Sequence, residues 1–153
     1  MLYSLTTKYS VIALVELARG NGQMRVKEIA EARGIPPYFL AKLVPPLVRA
    51  GILSSMRGKT GGISFARDPN QISLADVVLV IEGDGYFKEC VFELNPCPGR
   101  PGCPLHDVWD PLRDEIARFL QDTTIQSVAD KLATSKKKNS LDRTAAQKED
   151  KNA

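Results

Sequence analysis

The sequence predicts a mainly α-helical protein that carries one small β-hairpin and one long amphipathic helix. Three short segments with helical apolar periodicity fall before residue 50, and a glycine-rich basic segment between two β-prone stretches follows them. After residue 105, apolar residues recur at three- and four-residue steps over about four turns. The 153 residues, 43% hydrophobic and 25% charged, suffice for one small globular domain with an added oligomerisation arm.

The first two helices are predicted from apolar clusters that each end at a glycine. The first runs up to Gly20, and its apolar residues indicate a mostly buried helix. Four of its polar residues are predicted to face solvent: Lys8, Ser10, Glu16 and Arg19. The second helix covers Val26–Arg33, with Ile29 and Ala30 facing inward and Gly34 as its stop signal.

A third helix is predicted to open at the turn Gly34–Pro37. Its apolar residues recur in pairs every four residues and form one stripe: Phe39, Leu40, Leu43, Val44, Leu47 and Val48. Tyr38, Lys42 and Arg49 lie off this stripe, where solvent or a ligand can reach them. Pro45 and Pro46 are predicted to break or kink the helix, because an interior proline costs about 3 kcal/mol.

Residues 52–66 are predicted to form a hairpin with a basic, glycine-rich tip. Three short helices followed by such a hairpin outline a winged helix-turn-helix, whose third helix enters the DNA major groove and whose hairpin, the wing, reaches an adjacent groove or the backbone. The predicted DNA-binding residues are Tyr38, Lys42, Arg57, Lys59 and Thr60. Nucleotide hydrolysis is excluded, because Leu53 stands where a phosphate-binding loop ending at Gly58–Thr60 needs glycine.

The C-terminal half is predicted to hold a short helix, a long helix and a polar tail. Ser73 is a good N-cap for a helix that reaches Ile81. The long amphipathic helix from Leu105 has no partner in so small a domain, so we expect it to pack against its copy in a homodimer. Asp110-Pro111 either kinks this helix or marks its start. Residues 123–130 predict one further short helix, and residues 134–153 predict a disordered basic tail.

The three cysteines and the single histidine of the chain fall close together in the pattern C-x6-C-x5-C-x2-H. They are Cys90, Cys97, Cys103 and His106, on a segment rich in proline and glycine. Thiolates and imidazole are the donors that iron–sulfur clusters and zinc prefer. Three interpretations stay open at this point: an iron–sulfur site, a metal-free thiol switch, and a zinc site, which usually shows C-x2-C spacing instead.

Taken together, these motifs resemble the IscR/NsrR/RirA family of winged helix-turn-helix iron–sulfur transcription regulators (the Rrf-two type). The resemblance extends to about Leu132 and rests on motifs in a shared order: Lys8–Val11, Ile29-Ala30, Gly34-Ile35, Leu47, Ala50–Leu53, Ser54–Gly58 and Gly61-Gly62. It implies a homodimer that binds operator DNA and carries a cluster sensing iron, nitric oxide or redox state. Arg57 matches the family's wing arginine.

The resemblance also implies the cluster ligands. Cys90, Cys97 and Cys103 match the family's three thiolates, and His106 matches the fourth ligand of IscR-like members, which favours a 2Fe–2S cluster over 4Fe–4S. NsrR-like members draw an acidic ligand from the first helix, where this chain has Thr7 and Lys8. In two places the chain departs from IscR-like members: its first cysteine gap is x6 where theirs is x5, and Ala41 replaces their DNA-facing acidic residue.

These observations predict four segments and one class of function. Residues 1–82 form the DNA-binding domain, 83–104 the cluster loop, 105–133 the dimerisation helix with a short C-terminal helix, and 134–153 the tail. No paired carboxylates or nucleophile–base pair indicates an enzyme, and a small iron–sulfur electron carrier is the non-regulatory rival. An odd number of cysteines without a signal peptide or membrane span predicts a cytoplasmic protein.

Overall fold

The structure, a computed structural model, describes residues 3–20, 22–58, 61–88, 90, 92 and 103–135. Its helices and strands lie in the following order: α1 Leu5–Arg19, β1 Gln23–Met24, α2 Val26–Arg33, α3 Pro37–Arg49, β2 Leu53–Met56, β3 Gly62–Phe65, α4 Leu74–Glu82, α5 His106–Asp122 and α6 at 125–135. Short 3-10 turns occur at Pro69–Gln71 and Tyr86–Lys88. The mainly helical fold with a small sheet is the one that the sequence predicts.

Local signals explain where the first two helices begin and end. The Ser4 hydroxyl caps α1 by accepting the Thr7 N–H at 3.2 Å, and α1 ends before Gly20 as predicted. Gly34 ends α2 with a left-handed φ of 63°. The prediction that Ser10 faces solvent is wrong, because the residue is fully buried. Its hydroxyl donates to the carbonyl oxygen of Thr6 at 3.0 Å, which satisfies the group inside the helix.

Helix α3 runs without interruption through Pro45 and Pro46, so of the predicted break or kink the break does not occur. The two prolines supply no N–H to the carbonyl oxygens of Ala41 and Lys42, one turn earlier. Both of those residues are exposed, so water can bind the two carbonyl groups. The apolar stripe packs inward as predicted, with Leu40, Leu43, Val44 and Leu47 buried.

The sheet has three antiparallel strands in the order β1-β3-β2. Strands β2 and β3 form the predicted hairpin, with Leu53 opposite Phe65 and Met56 opposite Gly62. Strand β1 is not predicted by the sequence, and it pairs Met24 with Ile63. A side chain at Gly62 would place its Cβ 2.6 Å from the carbonyl oxygen of Met24, so β1 can approach only because residue 62 is glycine.

The C-terminal helices return to the core formed by α1 to α4. Ser73 and Asp76 cap α4 reciprocally, each side chain accepting the other's N–H at 3.0 and 2.9 Å. Helix α5 begins at His106 and continues through Pro111, so that proline neither starts nor ends it. Beyond α5, Leu74 donates its N–H to the Thr123 carbonyl at 2.8 Å, beside an isolated β-bridge between Ser73 and Thr124.

One apolar core joins α1 to α4 with the sheet, and α5 and α6 complete it. The last two helices contribute Leu120, Ile125 and Ala129, all buried. Thus residues on both sides of the cysteine segment share the same core. Within the described part of the chain, no helix has the length and apolar character needed to cross a bilayer.

Candidate DNA-binding surface and candidate metal centre

The outer face of α3 presents the side chains predicted to contact DNA. Tyr38 is 70% exposed in the first turn of the helix, and Lys42 is exposed one turn later. The α2–α3 turn is fixed by the left-handed Gly34 and the buried Ile35, whose N–H donates to the Ala30 carbonyl at 2.9 Å. Because the apolar stripe of α3 is buried, the Lys42 ammonium and the Tyr38 phenol lie on the exposed side of the helix. A cation and a phenol there suit contact with phosphates and base edges.

The wing places a second cation at the end of β2. Arg57 directly follows β2 and is exposed. The residues on the two sides of the tip are joined, because the Gly61 N–H donates to the Gly58 carbonyl at 3.0 Å, and Gly58 has φ 108°. The other predicted wing residues, Lys59 and Thr60, lie outside the described residues. Of the five predicted DNA contacts, the structure therefore places Tyr38, Lys42 and Arg57, and all three are exposed.

The donors predicted to bind metal lie on both sides of the gap that follows the short turn at Tyr86–Lys88. Cys90 is 4% exposed, and Cys103 and His106 are partly buried. Cys103 and His106 share one turn at the start of α5, where the His106 N–H donates to the Cys103 carbonyl at 3.3 Å. Cys97 lies outside the described residues, and among the described ones Cys90 and Cys103 are in no disulfide.

The described donors alone do not make a metal site. In the part of the chain that the structure describes, no three His, Cys, Asp or Glu side chains are grouped to hold an ion. The chemistry of the donor set nevertheless fits an iron–sulfur cluster, since it offers thiols and an imidazole at the entry to a rigid helix. Such a cluster would be held by Cys90, Cys97, Cys103 and His106. The cluster would be the group that reacts with oxidants or nitric oxide.

A carboxylate contact, which the sequence does not predict, joins the end of α4 to the start of α1. Glu82 accepts the Ser4 N–H at 3.0 Å and a hydrogen bond from the hydroxyl of the fully buried Thr7. Burial opposes ionisation of Glu82, but the hydrogen bonds from Ser4 and Thr7 outweigh it, and the pKa of Glu82 lies below its usual 4.5. Glu82 immediately precedes Gly83, where the predicted cluster loop begins.

We expect Glu82→Gln to lower the free energy of unfolding by about 1 kcal/mol at neutral pH, because glutamine keeps the shape but loses the charge. The folded-state pKa of Glu82 is lowered, so its contribution is complete above pH 4.5 and is lost as the pH falls through that lowered pKa. Urea unfolding of both proteins across acidic and neutral buffers measures the difference. A difference in the free energy of unfolding between the two proteins that is constant with pH would contradict this role of the charge.

The apolar stripe of helix α5 divides between the core and solvent. One edge of the stripe, with Leu120 buried and Ile116 partly buried, packs on the core. The other edge has four exposed apolar residues, Leu105 at 43%, Val108 at 63%, Leu112 at 46% and Phe119 at 56%. We call these four residues the outer stripe. Their steps of three, four and seven residues match the 3.5-residue repeat of paired helices.

Residues 3–131 match the profile of the Rrf2 family, described as an iron-dependent transcriptional regulator. A candidate HTH-type transcriptional regulator of Aquifex aeolicus is 33% identical over 132 residues, which cover 84% of this chain and 91% of that protein.

Solved structures with the same fold include two named regulators. The structure of CymR (YrzC), the global cysteine regulator of Bacillus subtilis, superposes with a TM-score of 0.70 at 29% identity, covering 83% of this chain and 95% of CymR. IscR of T. potens superposes with a TM-score of 0.67 at 28% identity, covering 84% and 86%. The protein therefore belongs to the Rrf2 family of DNA-binding transcription regulators.

Proposed function

We propose that this protein binds double-stranded operator DNA with an affinity that an iron–sulfur cluster controls, sensing iron, nitric oxide or redox state. The proposed ligands are Cys90, Cys97, Cys103 and His106, with 2Fe–2S favoured over 4Fe–4S. The observation that carries the proposal is the turn that joins Cys103 to His106 at the start of α5. It places Cys103 and His106 in one backbone turn, at the start of the helix that also bears the outer stripe.

The chemistry of the donor set supports a sensing site. A histidine ligand can be protonated near neutral pH, so a cluster held by three thiolates and one imidazole is lost more readily than one held by four thiolates. Cluster binding would tie Cys90 and Cys97 to Cys103 and His106. These bonds would link the end of α4, through residues 83–104, to the start of α5.

The DNA-binding half of the proposal rests on the α3–wing surface. We propose that Tyr38 and Lys42 read the major groove and that Arg57, Lys59 and Thr60 contact the neighbouring groove or backbone. Exposed cations at two separated points supply the phosphate attraction that DNA binding needs. We further propose that the protein is a cytoplasmic homodimer and not an enzyme. Its proposed segments are the DNA-binding domain 1–82, the cluster loop 83–104, the dimerisation helix with a short C-terminal helix 105–133, and the tail 134–153.

We expect Arg57→Ala to weaken operator binding and to make the slope of log K against log salt shallower by about 0.9 for each protomer bound, because one phosphate contact is lost. Fluorescence anisotropy with a labelled operator over a salt series measures both. Lys131→Ala, which removes an exposed cation from α6, is the matched control. Equal affinity and slope in wild type and Arg57→Ala would remove Arg57 from the site.

A metal-free thiol switch is the alternative. It is favoured by the similarity to CymR, the global cysteine regulator, and to an oxidized form of Staphylococcus aureus CymR with a TM-score of 0.67 at 28% identity over 84% of this chain. In this case an oxidant such as peroxide would convert two cysteine thiols to a disulfide and take up their two electrons. A small iron–sulfur electron carrier is a weaker alternative, because it would not need the basic winged half of the chain. Such a carrier should show no salt-dependent DNA affinity.

The test of the proposal is the visible absorption spectrum of protein purified without oxygen, together with assays of iron and sulfide. Visible bands with near-equal iron and sulfide would support the cluster, and their shape would separate 2Fe–2S from 4Fe–4S. Colourless protein without iron, even after reconstitution, would overturn the cluster. Peroxide-dependent DNA affinity in that colourless protein would support the thiol switch.

A further inference from the structure

One large apolar side chain lies on the outer face of the three-stranded sheet. Leu53 and Ile63 are buried on the face that packs on the core. Side chains alternate between the two faces along a strand, so Ser54, Ser64 and Met56 lie on the opposite, outer face. Met56 is 61% exposed there, whereas its neighbours on that face are small or polar. A thioether is therefore open to solvent on β2, an edge strand of the sheet.

Two glycines fix the surroundings of Met56. Gly62 lies directly opposite Met56 in the ladder and has no side chain that could cover the thioether. Gly61 lies so close that a side chain there would collide with the Met56 carbonyl oxygen. Strand β2 also packs beside α3, and Arg57 directly follows Met56. The exposed sulfur therefore lies next to the proposed wing contact, on a backbone that the sheet holds in place.

Met24 gives an internal comparison. It is partly buried on β1 and packs against the core. Its sulfur lies against the backbone of Gly20, where an added Cβ would stand 3.0 Å from the Met24 Sδ. An oxidant must reach the sulfur atom in order to react with it. Of the two methionines that the structure describes, Met56 is therefore the more accessible target.

We propose that Met56 is a modification site through which a peroxide lowers the affinity for DNA. The inference rests on the proposed DNA binding, and it adds a redox response that does not use the cysteine segment. The sulfur lone pair attacks the peroxide, and the S–O bond forms as the O–O bond breaks. The second oxygen takes the proton of the first and leaves as water or an alcohol. The sulfur thus loses two electrons and the peroxide gains them, which gives methionine sulfoxide.

Oxidation would change the chemistry of the surface that meets DNA. Methionine is one of the apolar residues that proteins insert between base steps from the minor groove. The sulfoxide is polar, so it is costlier to remove from water, and its oxygen carries partial negative charge beside the phosphates. Loss of the apolar contact of one such side chain corresponds to about a tenfold loss of affinity. We therefore expect the oxidised wing to bind DNA more weakly.

The experiment compares wild type with Met56→Leu, Met56→Gln and Met24→Leu, before and after treatment with hydrogen peroxide. Dithiothreitol then returns disulfides to thiols and leaves the sulfoxide, and peptide mass spectra locate the added oxygen. Before treatment, Met56→Leu should bind the operator like wild type, and Met56→Gln, whose polar amide imitates the sulfoxide, about tenfold more weakly. After treatment, wild type and Met24→Leu should each lose about tenfold more affinity than Met56→Leu.

All four proteins have the same cysteines and histidine, so loss of a cluster or of thiols affects them alike. The additional loss in wild type should be reversed by methionine sulfoxide reductases that act on both epimers. Three results would overturn the inference: an unoxidised Met56, an equal loss of affinity in wild type and Met56→Leu, and wild-type affinity in Met56→Gln. An untreated wild-type protein without salt-dependent DNA affinity would instead contradict the proposed DNA binding, so the two failures are distinguishable.

Discussion

Cys103→Ala is expected to abolish the proposed iron–sulfur cluster and to leave the proposed dimer intact. The substitution removes one proposed thiolate ligand, and three remaining donors do not hold a cluster that needs four. The hydrogen bond from the His106 N–H uses the backbone carbonyl of residue 103, so the start of α5 survives. Cys103 is also partly exposed, so the substitution leaves no large cavity, unlike alanine at the buried Cys90.

The measurement is the visible spectrum with iron and sulfide content of anaerobically purified protein, joined to the sedimentation coefficient. We expect a colourless dimer, and Cys97→Ala should give the same result. A Cys103→Ala protein that keeps the full visible band would contradict the ligand assignment. If wild type is itself colourless and peroxide changes its DNA affinity, loss of that response in Cys103→Ala would identify Cys103 as a switch thiol.

Leu112→Asp is expected to convert the proposed homodimer to monomers. Leu112 lies within the outer stripe, 46% exposed, between Val108 and Phe119, at 63% and 56%. Full burial of a leucine side chain contributes about 1.5–3 kcal/mol; with Leu112 46% exposed, about half of this is gained at the interface, and a two-fold interface counts it twice. The loss of about 1.5–3 kcal/mol corresponds to about one to two orders of magnitude in the dimer dissociation constant. A buried aspartate at the interface adds a desolvation cost.

Sedimentation equilibrium measures the dissociation constant, and Gln121→Asp is its control. Gln121 is exposed on α5 and lies well away from the outer stripe around the helix, so it introduces the same charge outside the proposed interface. We expect Gln121→Asp to remain dimeric and Leu112→Asp to lose tight operator binding together with the dimer. A Leu112→Asp protein with the wild-type dissociation constant would place the interface elsewhere.

Elements with local signals were predictable from the sequence. The bounds of α2 follow from the glycine at its end and its apolar period, and the N-cap Ser73 correctly starts α4. The hairpin follows from its basic, glycine-rich tip. The continuation of α3 through two prolines was not predictable from propensity alone, because the exposure of Ala41 and Lys42 to water depends on the tertiary fold.

Elements that depend on distant contacts were not predictable. Strand β1 has two residues, too few for any periodicity, and pairs with a strand about forty residues later. The contact of Glu82 with Ser4 and Thr7 joins residues more than seventy positions apart. For the candidate site, the residue types predicted the ligand chemistry. Only the structure shows that Cys103 and His106 share a turn, and Cys97 stays a sequence-based prediction.

The bridge between Ser73 and Thr124 fixes the C-terminal end of α5 to the core. Two hydrogen bonds, from Leu74 to Thr123 and from Ile125 to Ile72, fasten this end to the core at 2.8 and 2.9 Å. The His106 end of the helix lies about 25 Å away, so a tilt of about 5° about the fixed end moves the His106 end by about 2 Å. In the proposed dimer the outer stripe packs α5 against its copy. The same tilt would therefore rotate the two proposed DNA-binding halves relative to each other. Cluster ligation would then act on the spacing of operator half-sites, and operators with altered half-site spacing would respond to it differently.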